Sequence, residues 1–151
     1  MIARAEIQGE VEKQLLKLFP GLEGHLYRNR VPVDFVRPSA MTLLQDDTME
    51  MRTHDTVARS VTALVTLFCP VDEYHNSDMD ALSAMSDATL EHFSALGMNV
   101  GDRWLDIGKV SSNVQLDYAE VSIPLSWDDD RKMSKDMAEL MGALHLSVDA
   151  K

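Results

Sequence analysis

Near the start of the chain, apolar residues recur at intervals of three and four. Ile7, Val11, Leu15, Leu18 and Phe19 fall on one helical face, with Glu6, Glu10, Glu12, Lys13 and Lys17 on much of the other. The spacing predicts a helix over 3–19. Pro20-Gly21 ends it, because proline cannot continue the ladder and glycine suits the turn that follows.

The pattern over 24–54 is less regular. His25-Leu26-Tyr27 reads as a short strand, and Pro32 and Pro38 punctuate an extended link. A strand is predicted over 40–45, a turn at Gln45-Asp46-Asp47-Thr48, and a return strand over 49–53. A polar-tipped hairpin and a mobile loop fit this stretch equally well.

The period then becomes two. Val57, Val61, Ala63, Val65, Leu67 and Cys69 share one face, interrupted only by Arg59. The opposite face, Ala58 to Phe68, begins polar and turns apolar. A strand over 57–71 is predicted, entering the middle of a sheet with a helix over its second face.

Ser77-Asp78-Met79-Asp80 matches a capping box with Ser77 as the cap. The stripe Met79, Leu82, Met85, Leu90, Phe93 and Leu96 predicts a helix that ends at Gly97. A strand over 103–110 follows, with Gly108 as a candidate bulge, then a turn at Ser111-Ser112-Asn113. Ala119, Val121, Ile123, Leu125 and Trp127 define a return strand in which Pro124 argues for an edge position. Asp128-Asp129-Asp130 reads as an acidic turn, followed by a short helix carrying Met133, Met137, Leu140, Met141 and Leu144 and a short closing strand at 144–148. The expectation is one α+β domain over 1–151, a mixed or antiparallel β-sheet with two main helices packed on it plus a short C-terminal helix.

Composition narrows the function. The 151 residues are 45% hydrophobic and 26% charged, with a net charge of −11. Residues 1–71 carry a net −1 and residues 72–151 a net −10. An acidic surface repels phosphate backbones and anionic lipid, so no specific nucleic-acid partner and no membrane partner are expected. No run of 18 apolar residues occurs, and Met1-Ile2-Ala3-Arg4-Ala5-Glu6 lacks the apolar stretch of a signal peptide, so a cytoplasmic chain is expected.

Candidate chemistry is sparse. Cys69 stands alone inside an apolar run and reads as a small buried thiol. The histidines at 25, 54, 75, 92 and 145 have no metal-ligand spacing, and no phosphate loop or nucleophile elbow occurs. Asp72, Glu73, Asn76, Asp78 and Asp80 are rich in oxygen, but the glycine and distant glutamate of a calcium loop are missing and capping accounts for part of the cluster. Asp128, Asp129 and Asp130 suit a solvated turn, a magnesium ion or an arginine of a neighbouring subunit. No catalytic residue, metal or cofactor is therefore assigned, and an enzyme is not expected. Ten methionines is a high count. Met49 and Met51 lie where they need not be core, and exposed methionines suit adaptable surfaces.

In order, these features resemble the tail terminator (tail-completion) proteins of long-tailed bacteriophages and prophages. The likeness runs through Leu16-Lys17-Leu18-Phe19-Pro20, Met41-Thr42-Leu43-Leu44, the long strand Arg59 to Pro70 and the helix Met79 to Leu96. It continues through the strand pair Arg103 to Trp127 and ends at Met137-Ala138-Glu139-Leu140 with Leu144-His145-Leu146. It covers nearly the whole chain and rests on element order.

The resemblance implies a self-assembled ring, typically of six copies, that caps the tail tube, ends its polymerisation and prepares it for head joining. The implied partners are the tail tube protein and head–tail connector proteins. The implied location is the virion tail, and the host cytoplasm during assembly. An acidic lumen would let DNA pass without sticking. Residues 29–55 are the candidate inter-subunit segment. There Arg30, Arg37 and Arg52, with Met49 and Met51, would meet the acidic half of the next copy, including Asp128, Asp129 and Asp130. A different neck or connector subunit and a small metal-dependent enzyme are the alternative readings.

Overall fold

A computed structural model describes residues 2–74 and 76–130. Helix α1 (Arg4–Leu18) leads through a 3-10 turn (Pro20–Leu22) to strand β1 (Leu26–Arg28). The long strands β2 (Ser39–Met51) and β3 (Thr56–Phe68) form a hairpin, followed by α2 (Met79–Phe93). Four strands complete the chain: β4 (Gly97–Val100), β5 (Arg103–Ile107), β6 (Ser111–Val114) and β7 (Ala119–Asp130).

One sheet holds all seven strands in the order β1-β2-β3-β7-β5-β4, with β6 also on β7. The β1–β2 pair is parallel and the others antiparallel, so the sheet is mixed and the fold is α+β. The expected short C-terminal helix, Met133 to Leu144, and the closing strand at 144–148 lie outside the described residues.

The core follows from the alternation along β3. Val57, Val61, Ala63, Val65 and Leu67 are all buried, and their register partners on β7 are Asp129, Leu125, Ile123, Val121 and Ala119. Ile7, Val11 and Leu15 of α1, with Leu82 and Phe93 of α2, join the same cluster. Both helices therefore cover one face. Helix α2, expected over the second face, packs on the same face as α1, and no described helix covers the second face. On that face Phe68 is packed instead by the rings of Phe35, 4.7 Å away, and Tyr118, 6.3 Å away.

The helix ends differ from expectation in instructive ways. The cap of α2 is Asp78, not Ser77: its carboxylate accepts the amides of Asp80 and Ala81. Ser77 is held in a bridge with Val71, and its hydroxyl donates to the Asp117 carbonyl, which removes it from capping. Helix α2 stops at Phe93, leaving Leu96 89% exposed, and Gly97 opens β4. A Cβ at Gly97 would overlap the Leu105 carbonyl oxygen and lie 2.6 Å from the Trp104 ring, so strand pairing requires glycine there.

Two further expectations change. Ser111-Ser112-Asn113 belongs to β6, not a turn, because it finds partners on β7 at Ser122, Val121 and Glu120. Strand β7 is interior, not an edge. Pro124 is tolerated because it sits between the β5 and β6 pairings, where its carbonyl accepts the Gly108 amide and no amide donor is needed.

The turn expected at 45–48 is a β-bulge within one continuous strand. Gln45 faces Thr62 and Thr48 faces Ser60, so Asp46 and Asp47 together oppose Val61. Asp46 takes φ 55°, which aspartate tolerates better than most residues. The extra residue switches the parity of β2. Ala40, Thr42 and Leu44 face the helices before the bulge, and Met49 and Met51 face the same side after it, opposite Arg59 and Val57.

Candidate functional site

The hairpin reverses at 52–55, the far end of the sheet from the 3-10 turn. Here β2, β3 and β7 continue past the bulge, where Arg4 at the start of α1 meets the Leu44 carbonyl and Asp47, as a three-stranded tip. Asp128, Asp129 and Asp130 lie in β7, paired with Ala58, Val57 and Thr56, rather than in an acidic turn. The alternation of β7 continues through them: Asp128 and Asp130 are exposed, and Asp129 is fully buried.

Asp129 works as an internal acceptor. It takes hydrogen bonds from the Ile2 amide at 2.9 Å, the Trp127 indole N–H at 3.0 Å and the Asp130 amide at 2.8 Å. Burial pushes its pKa up, but the donors from Trp127, Ile2 and Asp130 outweigh this and hold the carboxyl below its ordinary value. Arg103 pairs with Asp129 at 3.5 Å and with Asp130. That bond to Asp130 is the main reason the Arg103 pKa rises.

The other candidate residues divide between places. Arg52 pairs with Asp128 of its own chain at 2.7 Å, an exposed contact. Met49 and Met51 are 53% and 61% exposed at the tip. Arg37 lies at the opposite end, its guanidinium over the rings of Phe35 at 4.9 Å and Phe68 at 5.3 Å. It donates to the carbonyls of Cys69 and Asp117 and so fixes the 29–38 link to the sheet end. Arg30 is exposed, with no ion-pair partner among the described residues. The structure thus gathers Met49, Met51, Arg52, Asp128, Asp129 and Asp130 at one end and separates Arg30 and Arg37 from them.

A cluster that the sequence reading passed over lies at the root of the tip. Arg59 is buried, donates twice to the Asp47 carboxylate at 3.0 and 3.1 Å, and sits 5.1 Å from the Trp127 ring. It also donates to the Ile2 carbonyl. The bulge brings Asp47 within reach of it. The available signal was Arg59 itself, a cation in an apolar alternation.

The acidic cluster at 72–80 is used in local bonding. The Asp72 carboxylate accepts the amides of Tyr74 and Asn76, and Asp78 caps α2. Among the described residues no group of three or more His, Cys, Asp and Glu side chains is arranged to hold a metal ion. Cys69 is buried, as its apolar setting suggested, with its thiol 3.5 Å from the Asp78 carbonyl. No described helix is long and apolar enough to cross a membrane.

A further feature is an open apolar groove at the end away from the tip. Leu18, Phe19, Leu22, Pro38, Pro70 and Met85 line it, and its volume is about 360 Å³. Val33, Val36, Tyr74, Met79 and Leu116 are exposed around the same end. The chain therefore presents apolar surface at both ends of the sheet. No protein-family model matches the chain, and no curated protein matches it in sequence.

Proposed function

We propose that this chain is a structural subunit of a phage or prophage tail, one that caps the tail tube as a ring, ends its polymerisation and readies the tail for head joining. The carrying observation is the three-stranded tip on which Met49 and Met51 are exposed, with further exposed apolar residues at the far end of the sheet. An assembly subunit needs apolar surface for neighbours at more than one place, and exposed patches of this kind mark interaction sites. Six copies, the tail tube protein and the connector proteins are the partners in this reading, and the virion tail is the location. The acidic surface suits a ring through which DNA must pass.

Electron microscopy of lysates lacking the gene tests it. Abnormally long tails are expected. Tails of ordinary length without heads would move the chain to a connector role, and intact infectious particles would remove the assembly reading.

A further inference from the structure

The hairpin tip and the apolar groove stand at opposite ends of one sheet. Strand β3 runs from Thr56 at the tip to Phe68, and Pro70, which lines the groove, follows two residues later. Strand β2 runs the reverse way, from Ser39 beside the groove residue Pro38 to Met51 at the tip.

The two ends differ in shape. The tip offers two long, unbranched side chains, Met49 and Met51, on the face that Val57 and Trp127 occupy as buried residues. Such side chains adapt to irregular apolar pockets. The groove offers apolar lining without a described side chain filling it.

Unpaired charge differs between the two ends, with exposed Glu23, next to the groove residue Leu22, as the exception. The tip carboxylates of Asp46, Glu50 and Asp55 have no cationic partner among the described residues. Lys17, in the last turn of α1 beside the groove residue Leu18, and Lys13 one turn earlier are exposed and have no carboxylate partner there.

We propose that the Met49–Met51 tip of one copy docks in the Leu18–Met85 groove of a second copy, so that the chains join head to tail. This deepens the ring reading and rests on it, since it names the contact between neighbouring subunits. The two surfaces are different, so the interface is heterologous. Repetition of such a contact closes a ring when the rotation between copies allows and otherwise extends as a filament.

Sedimentation of the full chain over a range of concentrations, alongside its variants, is the test. The natural chain associates at micromolar concentration. Met49→Asp with Met51→Asp, and separately Leu18→Asp, each weaken association by at least about tenfold with the fold intact by circular dichroism. Lys17→Glu, on an exposed position, weakens it in the same direction and stands in if Leu18→Asp fails to fold.

The decisive step mixes the tip variant with a groove variant. One good tip and one good groove remain between them, so the mixture forms 1:1 pairs and nothing larger. A natural chain that stays monomeric overturns the proposal, as does undiminished association of the variants. A monomer whose Met49 and Met51 resist peroxide oxidation would assign the tip to residues 131–151 of the same chain and overturn it too. The two readings fail separately. Monomers in solution with abnormal tails in the lysate sink only this contact, and head-to-tail association with intact infectious particles sinks only the tail role.

Discussion

Asp129 accepts the backbone amide of Ile2 at 2.9 Å, a bond between residues 127 positions apart. It fixes the start of the chain against β7 in a place where no water can substitute for either group. Removing the charge while keeping the shape, as in Asp129→Asn, turns an acceptor of three donors into a group that must present its own amide to them. The expected cost is about 2–3 kcal/mol, read from urea unfolding. A variant as stable as the natural chain would show that these bonds contribute nothing net.

The same carboxylate sets a pH dependence. Its folded pKa lies below the ordinary value of 3.8, so the folded state binds this proton less readily than the unfolded state. The stabilisation is complete above the unfolded pKa and is lost as pH falls through the folded value. Stability of the natural chain should therefore converge on that of Asp129→Asn below about pH 4. A difference that stays constant from neutral pH to pH 2 contradicts this.

Arg59 and Asp47 form a partly buried pair at the root of the tip. Asp47 is partly solvated, so the penalty for leaving it alone is reduced, but Arg59 also covers the Trp127 ring. Arg59→Ala should cost about 2–3 kcal/mol, through lost packing as well as lost charge. Arg52→Ala, which breaks the exposed pair with Asp128, should change stability by less than about 1 kcal/mol. Equal effects from the two arginines would remove the distinction.

Helix capping separates two adjacent residues. Asp78→Ala should destabilise by about 1 kcal/mol, because the amides of Asp80 and Ala81 lose their acceptor. Ser77→Ala removes only a long bond to the Asp117 carbonyl and should cost less. Thermal unfolding of both variants decides the order.

Gly97→Ala should cost about 1–3 kcal/mol and loosen the β4–β5 hairpin. Trp104→Ala in the same chain should not restore stability, since the Leu105 carbonyl oxygen still obstructs the new Cβ. Full rescue would assign the crowding to the indole alone.

The sequence patterns that were easiest to read were those that a single period dominates. The face of Val57 to Cys69 and the stripe of α1 appear as expected because burial against one layer imposes the spacing directly. The bulge at Asp46 was read as a turn, since two aspartates before a threonine carry turn chemistry whether or not the strand continues. What decides is the pairing of Thr48 with Ser60, a long-range fact. Gly97, the first residue of β4, was read as the end of a helix because glycine suits a helix C-terminus and equally a strand pressed under Trp104. The candidate charges were identified as charges, but a sequence does not state that Arg52 and Asp128 neutralise each other within one chain, or that Asp129 points inward.

The one added residue in β2 has a mechanical consequence. Beyond the described helices β2 and β3 continue as an arm, and its root lies where the bulge lets Asp47 grip Arg59 over Trp127. The projecting arm is therefore joined to the body through a few side chains at its root, Arg59 through Asp47 and the Ile2 carbonyl, and Asp129 through the Ile2 amide.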